Sequence, residues 1–249
     1  MADEFVQSLA RGLSVITVFD AEHVSMTLTA VAARAGLSRA TARRLLHTLV
    51  ELGYVRFADG EFALTPQVLR LGTAYLTGLG LPEVAQPHLA TLSGDVGEST
   101  SAAILDGDDI VYVARVATTH RLMRVGITVG TRFPAWATSM GRVLIAAEGA
   151  DATARLTDLT LQPLTPRTLT DPADLAAEIA RVGEQGWALV DEELEVGLRS
   201  IAVPLRDAAD RVVAALNISM HSGGGDPLAH LDALRATAEK IRADLSMLA

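Results

Sequence analysis

The sequence predicts an α+β protein built in two parts, on three observations. Two capped helical segments joined by a short Gly-containing turn lie between residues 27 and 52, and a hairpin pattern follows them directly. In the remainder, β-rich runs paired about polar turns alternate with helical segments, the pattern of a mostly antiparallel sheet with helices on its faces. The charge is also divided. The 249 residues carry a net −9, yet the first 80 balance seven arginines against seven acids, so residues 81–249 hold the whole excess.

Composition bounds the function classes. With 49% hydrophobic and 20% charged residues the chain is globular, of a length that suits one large or two smaller domains. It has no cysteine, which excludes thiol catalysis, Cys-ligated zinc and iron–sulfur clusters. The opening MADEFVQSLARGL carries acids where a signal peptide needs bases, and no apolar run is long enough to span a bilayer. A cytoplasmic protein with no membrane partner is expected. The total of −9 argues against nucleic acid, whose phosphates demand positive charge. Its distribution argues otherwise: residues 34–56 hold five arginines and one glutamate, a local +4.

Along the first part, Phe5, Leu9, Leu13 and Ile16 recur at helical spacing and predict a helix over 5–19. Thr27 then caps a second helix that Gly36 stops, and Leu37 plugs the turn. Ser38 caps a third, from Arg39 to Leu52, ended by Gly53. On this helix Ala42, Leu45, Leu46 and Leu49 share an apolar face, while Ala40, Arg44, His47 and Glu51 point away and Arg39 and Arg43 flank them. A small, arginine-bearing outer face fits a recognition helix in the major groove, because a short side chain at Ala40 lets the helix approach base edges. Ser38 and Thr41 supply hydroxyls for phosphates or bases. Residues 54–57 and 62–64 read as two short strands about Asp59-Gly60, a wing on which Arg56 can reach the DNA backbone or minor groove. The candidate DNA-binding residues are therefore Ser38, Arg39, Ala40, Thr41, Arg43, Arg44, His47 and Arg56. The plainer reading is a helical bundle with surface arginines; the wing and the local +4 favour DNA, while His47 adds little. Thr65-Pro66 opens a further helix, with Val68, Leu71, Leu76 and Leu79 as its apolar positions, ended by Gly78-Leu-Gly-Leu-Pro82.

In the acidic part a helix is expected from about 83 to 97, broken or started at Pro87. Strands follow at 101–105 and 110–114 about an Asp-Gly-Asp-Asp turn, then at 122–129. A helix at 139–147, one opened by Asp171-Pro172 and closed by Gly186, strands at 187–190, 198–205 and 211–220, and a last helix opened by Asp226-Pro227 complete the order. No nucleophile elbow, phosphate loop, dinucleotide fingerprint or zinc-protease motif occurs. The six histidines are scattered, so a metal site could arise only by tertiary convergence, and neither metal nor cofactor is expected. No enzyme is expected either; the alternative is a small-molecule sensor or enzyme domain without operator-specific DNA binding. Asp191-Glu192-Glu193 is a carboxylate cluster whose plain reading is a solvated strand end. The run GTRFPAWATSMGR (130–142) is more telling. It joins a strand to a helix opening at Thr138-Ser139, whose free N–H groups can receive a carboxylate. Phe133 and Trp136 make either an aromatic pocket wall for a small organic acid or plain core filling.

These segments together carry a resemblance. SLARGLSVITVFD, the helix-turn-helix LTAVAARAGLSRATARRLLHTLVELGYV, RFPAWATSMGRVLIA, and DEELEVGLRSIAVPL with VVAALNIS resemble the IclR-type transcriptional regulators over the whole chain. Details of FVQSLARGL, VGTRFPAWATSMGRVLIA and DEELEVGLRSIAVPL resemble the subgroup that controls the β-ketoadipate pathway, including its protocatechuate and p-hydroxybenzoate regulators. The resemblance implies a winged helix-turn-helix domain (1–65), a linker helix (66–81) and a GAF-like effector and oligomerisation domain (82–249). It implies a homodimer or dimer of dimers on double-stranded operator DNA. It further implies an effector pocket to which Phe133, Ser139 and Met140, then Asp191 and Ser200, then Asn217 and Ser219 match by motif. Glyoxylate-type members differ at Ala135-Trp136 and Thr138-Ser139-Met140, which points to a larger aromatic effector: protocatechuate, p-hydroxybenzoate or β-ketoadipate. Trp136 would line the pocket with Phe133. Arg124 and Arg132 are the candidates to pair with the effector's carboxylate, and the sequence does not choose between them.

Overall fold

The structure, a computed structural model, describes residues 5–72, 80–118, 126–149 and 161–248. The chain divides into two compact units, Met1–Gly78 and Leu79–Ala249.

In the first unit α1 (Gln7–Thr17), β1 (Ser25–Thr27), α2 (Leu28–Arg34), α3 (Arg39–Glu51), β2 (Val55–Ala58) and β3 (Glu61–Leu64) follow in order. Thr27 caps α2 by accepting from the Ala30 N–H at 3.3 Å, and Ser38 caps α3 by accepting from the Thr41 N–H at 3.2 Å. Both helices end where expected, with Gly36 and Gly53 at positive φ. Asp59 and Gly60 both have φ > 0, the backbone a tight two-residue hairpin needs. A third strand, β1, adds to the hairpin in the antiparallel order β1-β3-β2. Its three residues bury only Met26, too short a pattern to register as a strand beforehand.

The core of this unit is Val15, Met26, Val31, Leu46, Leu49, Val55 and Phe62. The stripe that announced α1 is not its buried face: Val15 is buried and Ile16 half-buried against the core, whereas Phe5, Leu9 and Leu13 are 66%, 64% and 50% exposed. Thr65 caps a 3-10 turn, Pro66–Val68, rather than an immediate α-helix; the chain is helical at 69–72, and the rest of the expected helix up to 79 lies outside the described residues.

The second unit comprises α4 (Leu81–Val96), β4 (Ser99–Asp106), β5 (Asp109–Val116), β6 (Arg132–Pro134), a 3-10 turn (Ala135–Ala137), α5 (Ser139–Glu148), α6 (Pro172–Gln185), β7 (Ala188–Asp191), β8 (Leu198–Arg206), β9 (Val212–His221), a 3-10 turn (Pro227–His230) and α7 (Leu231–Leu248). Its six strands pair antiparallel in the order β6-β5-β4-β9-β8-β7. Helices cover both faces. The Ser139 and Ser200 hydroxyls meet at 2.8 Å, placing α5 over the face that carries Ser200. Thr100 donates to the Leu89 carbonyl at 2.9 Å, placing α4 over the other. That two-sided burial is why β4, β8 and β9 read as nearly continuous buried runs.

Two expectations need correction here. α4 runs straight through Pro87, because Leu81, Ala85, Leu89 and Leu92 form one buried stripe on both sides of it and that burial offsets the missing N–H. The strand expected over 122–129 is absent from its described part: residues 126–129 form no strand, and 122–125 lie outside the described residues. β5 takes its edge partner a few residues later instead, as Tyr112 bonds Gly130 and Thr131 and β6 pairs over Arg132–Pro134.

Candidate functional site

Two sites emerge, one in each unit. On α3, burial of Ala42, Leu46 and Leu49 turns Arg39, Ala40, Arg43, Arg44 and His47 to solvent, and Arg56 is exposed on β2. Among the described residues, none of Arg39, Arg43, Arg44 and Arg56 is held in an ion pair, although Arg34 is, by Asp20 at 2.8 Å. The free charge is therefore four arginines on the reading face, with Arg34 spent on fastening α2 to the α1 end through Asp20 and the Val18 carbonyl. Free guanidinium groups on an exposed helix are what phosphates and guanine edges require. Ser38 and Thr41 are partly committed elsewhere, since their hydroxyls lie 2.9 Å apart while Ser38 caps the helix. His47 stands edge-on to Phe62, the ring centroids 6.3 Å apart.

The second site is a cavity between α5 and the sheet, lined by Tyr112, Arg115, Ile127, Ala137, Thr138, Ser139, Met140, Val190, Leu194, Leu198, Ser200, Asn217 and Ser219. Its free volume is small, about 20 Å³, room for a water or two. Thr138 caps α5 by accepting from the Gly141 N–H at 3.0 Å, which leaves the Ser139 and Met140 N–H groups without intrahelical acceptors at the cavity wall.

Of the residues predicted for this pocket, Ser139, Met140, Ser200, Asn217 and Ser219 are brought together along its wall. Phe133 and Trp136 are not: Trp136 is buried in the apolar core under α5 and α6, and Phe133 packs there edge-on to Tyr112 at 6.0 Å. Asp191 is not a lining residue either. Strand alternation sends Val190 inward and Asp191 outward, where Arg199 at 2.7 Å and Arg167 at 3.1 Å hold it. The Arg199 hydrogen bond, followed by the charges of Arg199 and Arg167, keeps the Asp191 carboxyl below the usual range. Arg124 lies outside the described residues. Arg132 is turned away on two carboxylates, Asp106 at 2.6 Å and Asp109 at 3.1 Å.

The cation that does line the cavity, Arg115, is one the sequence reading missed. Strand periodicity would place Tyr112 and Arg115 on opposite faces of β5. A register shift overrides it: Ala102 pairs with Ala114 and Ala103 with Tyr112, leaving Val113 as the extra residue of a bulge. Tyr112 and Arg115 thereby face the same cavity. Burial lowers the Arg115 pKa from its ordinary value, opposed by its interaction with Tyr112.

Burial also pushes the Tyr112 phenol from 10.0 up to about 12. The neutral phenol belongs to the folded state, so its contribution is intact below pH 10 and is lost as pH climbs from about 10 to about 12, amounting to roughly 2–3 kcal/mol. Urea unfolding of wild type and Tyr112→Phe across that interval should show the wild type losing stability by this amount relative to the variant; parallel curves would contradict it.

The carboxylate cluster holds a second surprise. Glu193, read as part of a solvated strand end, is buried and makes a bidentate pair with the buried Arg142, at 2.9 and 2.6 Å. Arg142 Nε donates to the Trp136 carbonyl at 3.0 Å, and the Leu169 N–H donates to Glu193 at 3.1 Å. Thr165 and Thr168 donate to the Glu192 and Glu193 carbonyls at 2.6 and 2.7 Å. The pair thus ties α5, the 164–169 loop and the segment carrying Leu194 and Leu198 to one another. Among the described residues no cluster could hold a metal ion, and no helix is long and apolar enough to cross a membrane.

Comparison with known proteins fits this architecture. Residues 8–59 match the IclR helix-turn-helix domain, and residues 73–243 match the bacterial transcriptional regulator IclR C-terminal domain. The Pca regulon regulatory protein of Pseudomonas putida is 47% identical over 88% of this chain and 76% of its own length. The p-hydroxybenzoate hydroxylase transcriptional activator of Acinetobacter baylyi is 34% identical over 96% of this chain and 92% of its own. Among solved structures, a chain from Rhodococcus sp. RHA1 is 52% identical, with a TM-score of 0.86 over 98% of this chain and all of that one. An IclR homolog from Microbacterium hydrocarbonoxydans, complexed with 4-hydroxybenzoate, is 27% identical with a TM-score of 0.87 over 96% of this chain and 99% of that one. A capped helix pair with a wing, followed by a helix-covered antiparallel sheet and matched on both parts by the family's two domains, places this chain in the IclR family of bacterial transcriptional regulators.

Proposed function

We propose that this chain controls genes of aromatic acid catabolism by binding double-stranded operator DNA through α3 and the wing, and that an aromatic acid or pathway intermediate in the cavity governs that binding. Protocatechuate, p-hydroxybenzoate and β-ketoadipate are the candidate effectors: the resemblance to the β-ketoadipate-pathway subgroup suggests all three, and the p-hydroxybenzoate hydroxylase activator and the 4-hydroxybenzoate complex among the similar proteins support the second. The observation that carries the reading is where the free cations lie: four arginines on the exposed face of α3 and β2, and Arg115 in the wall of an otherwise largely uncharged cavity. The functional division is 1–65 for DNA, 66–81 as linker and 82–249 for the effector. The protein is a cytoplasmic homodimer or dimer of dimers, not an enzyme, and the exposed stripe Phe5, Leu9, Leu13 supports a second copy covering α1. The cavity's free volume is smaller than an aromatic ring, so binding one requires the wall to yield, and an acid that favours the opened arrangement shifts the protein toward it.

Titration of labelled promoter DNA tests the reading. Binding should weaken steeply with salt and exceed that to random DNA of equal length, and the acid should shift it. Arg44→Ala should cost about 1–3 kcal/mol of specific binding, roughly 5- to 150-fold, while non-specific binding falls far less. Equal affinity for promoter and random DNA would sink the proposal.

A further inference from the structure

The sheet beneath the cavity carries two buried polar atoms without partners, Arg115 Nε and Asn217 Oδ1. Arg115, Ser101 and Asn217 occupy one register row across β5, β4 and β9, so their side chains rise from the same face. Arg115 Nη1 donates to Ser101 Oγ at 2.9 Å, while its Nε is buried without a partner. Among the described residues no carboxylate lies within ion-pair distance of it, whereas Arg132, one of the two arginines the sequence offered, is held by Asp106 and Asp109. Asn217 is 3% exposed; its Nδ2 donates to Ser219 Oγ at 2.9 Å, and its Oδ1 is buried without a partner. Both residues line the cavity. Buried polar atoms are normally satisfied, so each orphan is a demand that a ligand can meet.

The two demands differ in kind. A guanidinium N–H seeks an anion, and carboxylate is its best geometric match. An amide oxygen seeks a donor, and a second carboxylate is an acceptor that it would repel. The two residues stand two strands apart, and the Arg115 head group leans over the strand between them. The separation to be bridged is one to two strand spacings, roughly 5–10 Å, about the length of a para-substituted benzene ring. Met140, Leu194 and Leu198 supply apolar contact for such a ring.

We propose that the cavity recognises a monoanionic hydroxy acid lying across the sheet, its carboxylate on Arg115 and its hydroxyl donating to Asn217 Oδ1, and that it discriminates against dicarboxylates. Arg115 and Asn217 are then the specificity-determining residues. Of the candidate effectors, the hydroxybenzoates satisfy both ends and β-ketoadipate only one. This rests on the reading of the cavity as an effector site.

Calorimetric titration of the full chain with 4-hydroxybenzoate, benzoate and terephthalate tests it. 4-Hydroxybenzoate should bind at least tenfold more tightly than benzoate, which lacks the donor, and than terephthalate, which replaces it with an anion. A site built to hydrogen-bond a hydroxyl rejects the analogue lacking it. Arg115→Gln should weaken 4-hydroxybenzoate at least tenfold. Asn217→Leu should erase the preference for 4-hydroxybenzoate over benzoate while benzoate still binds. Benzoate or terephthalate binding wild type as tightly as 4-hydroxybenzoate overturns the inference alone. If none of the three acids binds, while promoter DNA does, the effector reading falls with it. The ligand series on the unaltered protein decides the matter even if a variant fails to fold.

Discussion

Gly141→Ala is expected to abolish stable folding of the second unit, or to lower its stability by about 3 kcal/mol or more. The reason is a backbone crossing. A Cβ at 141 would stand 2.0 Å from the Ala135 carbonyl oxygen and 2.4 Å from its Cα. Neither atom can rotate away. The Ala135 carbonyl also accepts from the Thr138 N–H and hydroxyl, both at 3.2 Å, so moving it loosens the cap of α5. An alanine in a helix interior would ordinarily be favoured over glycine by roughly 1 kcal/mol; here close approach reverses the sign. Urea unfolding followed at Trp136 should show the loss, whereas Gly94→Ala, in α4 with open space around it, should be neutral or mildly stabilising. Equal stability of Gly141→Ala and wild type would contradict the packing.

The second large effect is expected at Arg142. Arg142→Met strands Glu193, 8% exposed, without either guanidinium bond. Removing one partner of a buried pair costs about 3–5 kcal/mol, because the remaining charge is left desolvated and uncompensated. Replacing both, as Arg142→Met with Glu193→Leu, should recover most of that loss. This outcome separates the cost of an orphaned charge from any net value of the pair. The single variant should also weaken effector binding, since the same bonds hold the segment bearing Leu194 and Leu198 against the cavity. A thermal-shift titration with 4-hydroxybenzoate would read both effects. Full stability in the single variant would show that Glu193 finds another partner or water.

Much of the first unit was legible in advance. Thr27, Gly36, Ser38, Gly53 and Asp59-Gly60 act through bonds and dihedrals within four residues of themselves, so their roles can be read locally. The outward face of α3 followed from helical angle alone. The stripe on α1 located the helix but not its buried side, because period identifies an apolar face without saying what covers it. Pro87 misled, since a local rule about proline lost to burial on both sides of it.

The cavity was half legible. Ser139, Met140, Ser200, Asn217 and Ser219 were placed by motif, and the structure brings them to one wall. Phe133, Trp136 and Asp191 sit in or beside the same motifs but face the core or the outer ion pairs, because neighbouring residues of a strand or tight turn point to opposite sides.

What the sequence determined by itself was local: the caps, the turns, the helical faces, and the division of charge that gathers five arginines over residues 34–56 of an otherwise acidic chain. What only the tertiary structure decided depends on residues far apart in the chain. The bulge at Val113 arises from pairing between β4 and β5, and it turns Arg115 inward. The burial of Glu193 depends on Arg142, 51 positions away. A one-residue change of register reverses every side chain beyond it, and a charge can be buried only where its partner is delivered by another element. Neither condition is written in the residues that surround it in sequence.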